Sequence, residues 1–163
     1  MKDVTVRNAM TRLVQTITPS DSLEKAMNVL KRYGISGLPV VDSRQRVVGV
    51  LSEKDIARNL SEALGESSTS ILELVLHTST PKVRKSKPPS LADPEAKDII
   101  RSTLKSVVVG DAMCEDPVVI GPGASLDSAA RIMTEHHINR LPVVDGDRLV
   151  GIITRHDVLA AWV

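Results

Sequence analysis

Apolar residues along this chain change their spacing in a fixed order, and the order is written twice. In the first half, the short run "QTIT" leads to Pro19, and Leu23, Ala26, Met27 and Leu30 then recur at helical spacing. Two strand-like runs follow, "LPVV" and "VVGVL", separated by a polar turn, and "SEKDI" opens a further helix. In the second half the same order reads "PVVI", Pro122, a face of Leu126, Ala129, Ala130 and Met133, another "LPVV", then "LVGII" and "TRHDV". Each copy predicts β-α-β-β-α. Asp21 and Glu24 have capping-box spacing, Gly34 supplies a helix stop, and Asp145-Gly146-Asp147 suits a tight hairpin turn.

The register of the repeat is well defined. Met10, Pro19, Leu23, Pro39 and Asp42 align with Met113, Pro122, Leu126, Pro142 and Asp145 at an offset of 103, and one residue is lost in the turn, so Gly49 and Asp55 align with Gly151 and Asp157 at 102. One copy of roughly 55 residues buries too little surface to be stable alone. The expected body is therefore α/β, with the two copies packed sheet to sheet about a pseudo-twofold axis and related residues lining a shared cleft. Residues 1–62 form the first copy and 107–163 the second. The insertion at 63–106 holds an apolar "ILELVL", a basic proline-punctuated "PKVRKSKPPS", and a helix opening at Asp93-Pro94-Glu95 with Ala96, Ile99 and Ile100 on one face.

Composition narrows the function classes. The 163 residues carry 21 basic and 20 acidic side chains, a net charge of +1, so no global field gathers a polyanion. Phe is absent and Tyr33 and Trp162 are the only aromatics, so the core is aliphatic and a bound base would lie between aliphatic side chains rather than on rings. Cys114 is alone, no apolar run is long enough to span a bilayer, and "MKDVTVRNAM" lacks the centre of a signal peptide; these features point to a soluble, cytoplasmic protein. No nucleophile–base motif, G-x-G-x-x-G or P-loop pattern is present, which argues against an enzyme. His136 and His137, adjacent on a helix, point about 100° apart and do not form a metal pair.

The doubled motifs "NAM", "ITPSDSLEKAMNVL", "ISGLPVVD" and "VVGVLSEKDI", then "DAM", "IGPGASLDSAARIM", "INRLPVVD" and "LVGIITRHDV", resemble a tandem pair of cystathionine-β-synthase (CBS) domains, a Bateman module. The resemblance covers residues 1 to about 62 and about 107 to 163. It implies a stand-alone regulatory module, not an enzyme, that binds adenosine-containing ligands (AMP, ADP, ATP or S-adenosylmethionine) in the cleft between repeats. It also implies a homodimer and a separate effector protein. By the same resemblance Ser52 with Asp55, and Thr154 with Asp157, contact ribose or phosphate. Arg140, just before "LP", reaches phosphate, whereas copy one has Gly37 there, so the Arg140 cleft is expected to take the more highly charged ligand. The base pocket is assigned to Val14, Thr16, Ile17, Leu38 and Pro39 in copy one and Pro117, Val118, Ile120, Leu141 and Pro142 in copy two.

Physical chemistry supports a second role for the paired residues. Ionised carboxylates accept well from vicinal ribose hydroxyls, and helix N-termini offer free N–H groups to phosphate. Yet Ser52-x-x-Asp55 and Thr154-x-x-Asp157 also have N-cap spacing and could simply start helices. Lys54, Arg155 and His156 sit in the first turns of those helices, a poor place for cations unless an anion is near. Two other readings stand beside the sensor: a dimerisation module with vestigial clefts, and nucleic-acid binding through Lys82, Arg84, Lys85 and Lys87. Four basic charges without interleaved aromatics fit a solvated loop better.

Overall fold

The computed structural model describes residues 4–65 and 94–161; the "ILELVL" segment, the four basic linker residues, Asp93 and Trp162 lie outside them. Copy one contains α1 (Val6–Ala9), α2 (Leu23–Tyr33), β1 (Gly37–Val41), β2 (Val47–Ser52) and α3 (Glu53–Leu64). After α4 (Pro94–Ser106), copy two contains α5 (Val109–Ala112), β3 (Cys114–Glu115), α6 (Leu126–Glu135), β4 (Arg140–Asp145), β5 (Arg148–Thr154) and α7 (Arg155–Ala160). Strands β1-β2-β3 form one sheet and β4-β5 another.

Helix α2 buries the apolar face read from its spacing, Leu23, Ala26, Met27 and Leu30. Its cap differs from the expectation. Ser22, not Asp21, occupies the N-cap and accepts from Lys25 N at 3.2 Å. Asp21 lies one residue outside, where its carboxylate accepts from Thr18 N (2.9 Å), Thr18 Oγ1 (2.9 Å) and Lys25 Nζ (2.6 Å). The helix stops at Gly34, whose φ of 62° is the left-handed geometry that glycine adopts without strain. The equivalent residue after α6 is His137, which takes a φ of 52° with a side chain attached.

The leading strand of each copy shrinks to a single bridge, Ile17 with Val40 and Ile120 with Val143, both parallel. Proline explains this. Ile120 N donates to Pro142 O at 3.0 Å and Val144 N to Ile120 O at 2.9 Å. Extending the ladder would require an N–H from Pro142 in one direction and from Pro122 in the other, and neither has one. Pro39 and Pro19 impose the same limit around Ile17, whose N donates to Pro39 O at 3.2 Å.

The proline carbonyls are then free to receive another segment, and in each case it comes from the other copy. Arg7 N donates to Pro122 O (2.9 Å) and Val6 N to Ala124 O (2.8 Å), while Leu126 N donates to Val4 O (3.2 Å). Correspondingly, Gly110 N donates to Pro19 O (2.9 Å), Val109 N to Asp21 O (2.7 Å) and Leu23 N to Val107 O (3.0 Å). Beyond these helices the chain pairs with the far strand of the host copy, Thr11 with Ile152 on β5, and Cys114 and Glu115 with Val50 and Gly49 on β2. The described residues accordingly form two compact units, a first drawn from Met1–Thr16, Val41–Val48 and Asp116–Val163 and a second from Ile17–Val40 and Gly49–Glu115.

In the first unit Val6 of α1 joins Ile120, Leu126, Ala129, Met133, Leu141, Val143, Ile153 and Val158 in one aliphatic core. In the second, α4 packs on α2 and α3 and buries Leu104, while Ala96, Ile99 and Ile100 are half-buried.

Two glycines permit the exchanged segments to approach. A Cβ on Gly151 would lie 3.1 Å from Thr11 O and 2.5 Å from Met10 Sδ; on Gly49 it would lie 3.0 Å from Cys114 O, with Met113 Sδ closer still. The methionines can swing aside, but the paired carbonyls cannot. Gly49→Ala and Gly151→Ala should each lower stability by about 1–3 kcal/mol, the usual range for overpacking, measured by urea unfolding.

Acid should act at Asp21. Burial raises its pKa, but the bonds from Lys25 and Thr18 outweigh this, and the net shift is downward. A lowered carboxylate pKa contributes stability above the unfolded-state value and loses it as pH falls through the folded value. Asp21→Asn should therefore be destabilising at pH 7, and the difference from wild type should shrink as pH falls far enough to protonate the wild-type carboxyl. Urea midpoints of both proteins measured from pH 7 downward check this.

Candidate functional site

In the first unit, β5 ends at Thr154, which is the N-cap of α7. Thr154 N and Oγ1 both donate to Asp157 Oδ2 at 2.7 Å, and Asp157 N donates back to Thr154 Oγ1 at 3.3 Å. Antiparallel register places Arg140 opposite Thr154, and Arg155 N donates to Asn139 O at 2.9 Å, tying the helix start to the mouth of β4. Arg140, Thr154, Arg155, His156 and Asp157 thus share one corner. Arg155 and His156 are exposed, and the other three are half-buried. Ile120, Leu141 and Pro142 are buried beside the corner, and Pro117 and Val118 are half-buried on the approach to Ile120.

The second unit repeats the backbone and changes the charges. Ser52 N and Oγ donate to Asp55 Oδ2 at 2.8 and 2.6 Å, and Glu53 N donates to Ser36 O at 3.2 Å. Gly37 stands where the first unit has Arg140, and Lys54 is exposed. Leu38, Pro39 and Ile17 are buried, whereas Val14 and Thr16, on the segment leading to Ile17 and grouped with the first unit, are half-buried. The second oxygen of Asp55 is also occupied: Arg58 Nη2 lies 3.3 Å from Asp55 Oδ1 and donates to Ala112 O at 3.1 Å.

Both hydroxyl–carboxylate pairs therefore close capping boxes. Each capping box uses one carboxylate oxygen, Oδ2, so a cap and a polyol acceptor are compatible roles for one residue wherever the second oxygen is unpaired. Sequence reading passed over Glu53 and Arg58. Their signal is in the repeat: at the offset of 102, Glu53 opposes Arg155 and Arg58 opposes Ala160. Among the described residues no three His, Cys, Asp or Glu side chains gather as a metal site, and no helix is long and apolar enough to cross a membrane.

The CBS domain family profile matches residues 2–62 and 109–163, and the chain belongs to that family. It is 34% identical over 150 residues to the chloroplastic CBS domain-containing protein CBSX2 of Arabidopsis thaliana, covering 91% of this chain and 58% of that protein's length. Its fold is similar to the crystal structure of CBSX2 in complex with AMP, with a TM-score of 0.68 and 29% identity over 97% of this chain and 95% of that one. The CBS domain of a CBS domain-containing membrane protein from Sphaerobacter thermophilus superposes with a TM-score of 0.71 at 27% identity, covering 98% of this chain and 88% of that one. These neighbours are CBS-pair folds, as the doubled pattern implied.

The capping role has its own consequence for the ligand-free protein. Thr154→Ala removes a side-chain acceptor at the start of α7 and should cost about 0.5–2 kcal/mol, read as a lower urea midpoint.

Proposed function

We propose that this CBS pair is a regulatory protein of the cytoplasm, not an enzyme, that binds adenosine-containing ligands and reports them to a separate effector as a homodimer. AMP, ADP, ATP and S-adenosylmethionine are the ligand set. Asp157 and Asp55 accept from the ribose hydroxyls, with Thr154 and Ser52 beside them. Arg140, Arg155 and His156 meet phosphate at the start of α7, where backbone N–H groups also face an anion. Lys54 alone offers that charge at the start of α3. The half-buried Val14, Thr16, Pro117 and Val118 contact the base, while Ile17, Leu38, Pro39, Ile120, Leu141 and Pro142 support the corners from the core.

The observation that carries this reading is the strand register placing Arg140 opposite Thr154, which puts a cation and a hydroxyl–carboxylate pair at one helix start. The AMP complex of CBSX2 supports the ligand class. Any signal requires the ligand to bind two conformations with unequal affinity.

A second reading draws on a different observation. Each hydroxyl and one oxygen of each carboxylate are already satisfied by the capping boxes, as a purely structural dimerisation module would also require. Thermal-shift titration separates the two. A ligand at a hundred times its dissociation constant adds about 2.7 kcal/mol, which raises the midpoint of a domain this size by about 5–10 °C. At least one of the four ligands should do so, Asp157→Ala should remove the rise, and Arg140→Ala should weaken ATP more than adenosine. A flat response to all four leaves the dimerisation module standing.

A further inference from the structure

The two corners share a backbone but differ in the outer oxygen of the carboxylate. Asp157 Oδ2 is held by Thr154, and among the described residues no cation pairs with Asp157. Asp55 Oδ2 is held by Ser52, and Oδ1 by Arg58 at 3.3 Å. The Asp55 side chain is only 13% exposed, and Arg58 lies on its remaining oxygen, the one a ligand would have to reach. Arg58 is anchored as well, through its 3.1 Å bond to Ala112 O on the exchanged helix α5. A neutral diol replacing it would break a charge-assisted contact and leave the carboxylate without its cation.

We infer that Arg58 is a latch that closes the Ser52–Asp55 corner to vicinal diols, so that the pair binds one ligand, at Thr154–Asp157. This rests on the adenosine-ligand reading and decides which of its two corners is used. Charge supports the same choice: Glu53 stands where the open corner has Arg155, and Gly37 where it has Arg140, so a phosphate finds less positive charge at the latched corner. In the open half the residue three past the Asp is Ala160, exposed and too short to reach back.

Isothermal titration with AMP on the intact protein tests the latch from both sides. Wild type should take one equivalent, Arg58→Ala should admit a second, and Ala160→Arg, which installs the latch beside Asp157, should weaken the first at least about tenfold. Two equal equivalents in wild type, or an Ala160→Arg variant that binds as wild type does, would overturn it. A double-mutant cycle between Asp55→Asn and Arg58→Ala in urea reads the latch without any ligand. Absent AMP binding, the adenosine reading fails for AMP, and the cycle then decides the latch: a smaller Arg58→Ala effect in the Asp55→Asn background sustains it, the remainder being the bond to Ala112 O, and strict additivity removes it. Arg58→Gln repeats the titration if the alanine variant is too unstable.

Discussion

Everything in this molecule depends on four prolines that lack an N–H where a β-ladder would need one. Pro19 and Pro39, and Pro122 and Pro142, restrict the leading strand of each copy to one bridge. Beside that bridge they leave a carbonyl, Pro19 O or Pro122 O, which accepts from the leading helix of the other copy. The same chemistry that ends the strand therefore creates the docking point. Because each compact unit is assembled from both copies, neither repeat contains a complete core. The close approach of Met10 to Gly151 and Met113 to Gly49 is the packing counterpart of those backbone bonds.

The start of the last helix in each half is where the capping structure and the proposed recognition would draw on the same atoms. A hydroxyl and a carboxylate three residues apart satisfy orphan N–H groups of the first helical turn. The carboxylate retains a second oxygen, and its surroundings decide what that oxygen meets. Arg140 in strand register and Arg155 and His156 in sequence neighbour one pair; Gly37, Glu53 and Lys54 hold the corresponding places beside the other, where Arg58 also pairs with Asp55. Duplication conserved the backbone device while the charges around it diverged, and that divergence turns a symmetric frame into two unequal corners.

The insertion adds a further asymmetry. Helix α4 covers α2 and α3 and buries Leu104, so the second unit gains apolar contacts from outside either repeat. Its Arg58 is also tied to α5, which makes the helix start of that unit part of the packing between segments. In the first unit Ala160 occupies the position of Arg58 at the offset of 102.

Much was determined by sequence alone. The alternation of apolar periods is local, so the helices, the hairpins and the buried face of α2 could be read residue by residue, and the doubled motifs carried the family. Ser52, Asp55, Thr154 and Asp157 were legible because capping spacing is itself a local pattern. One departure was local: Thr18 and Lys25, three and four residues away, engage Asp21 and leave the cap of α2 to Ser22. Two others were not. The leading strands shortened in one direction because their partners there, Pro39 and Pro142, lie 22 residues away, whereas Pro19 and Pro122, which end them in the other, are close by in the sequence. Assembly of each unit from both copies, and the anchoring of Arg58 on Ala112, depend on contacts between distant segments. Tertiary structure alone decided these, since backbone donors and acceptors choose their partners only when the whole chain has closed around them.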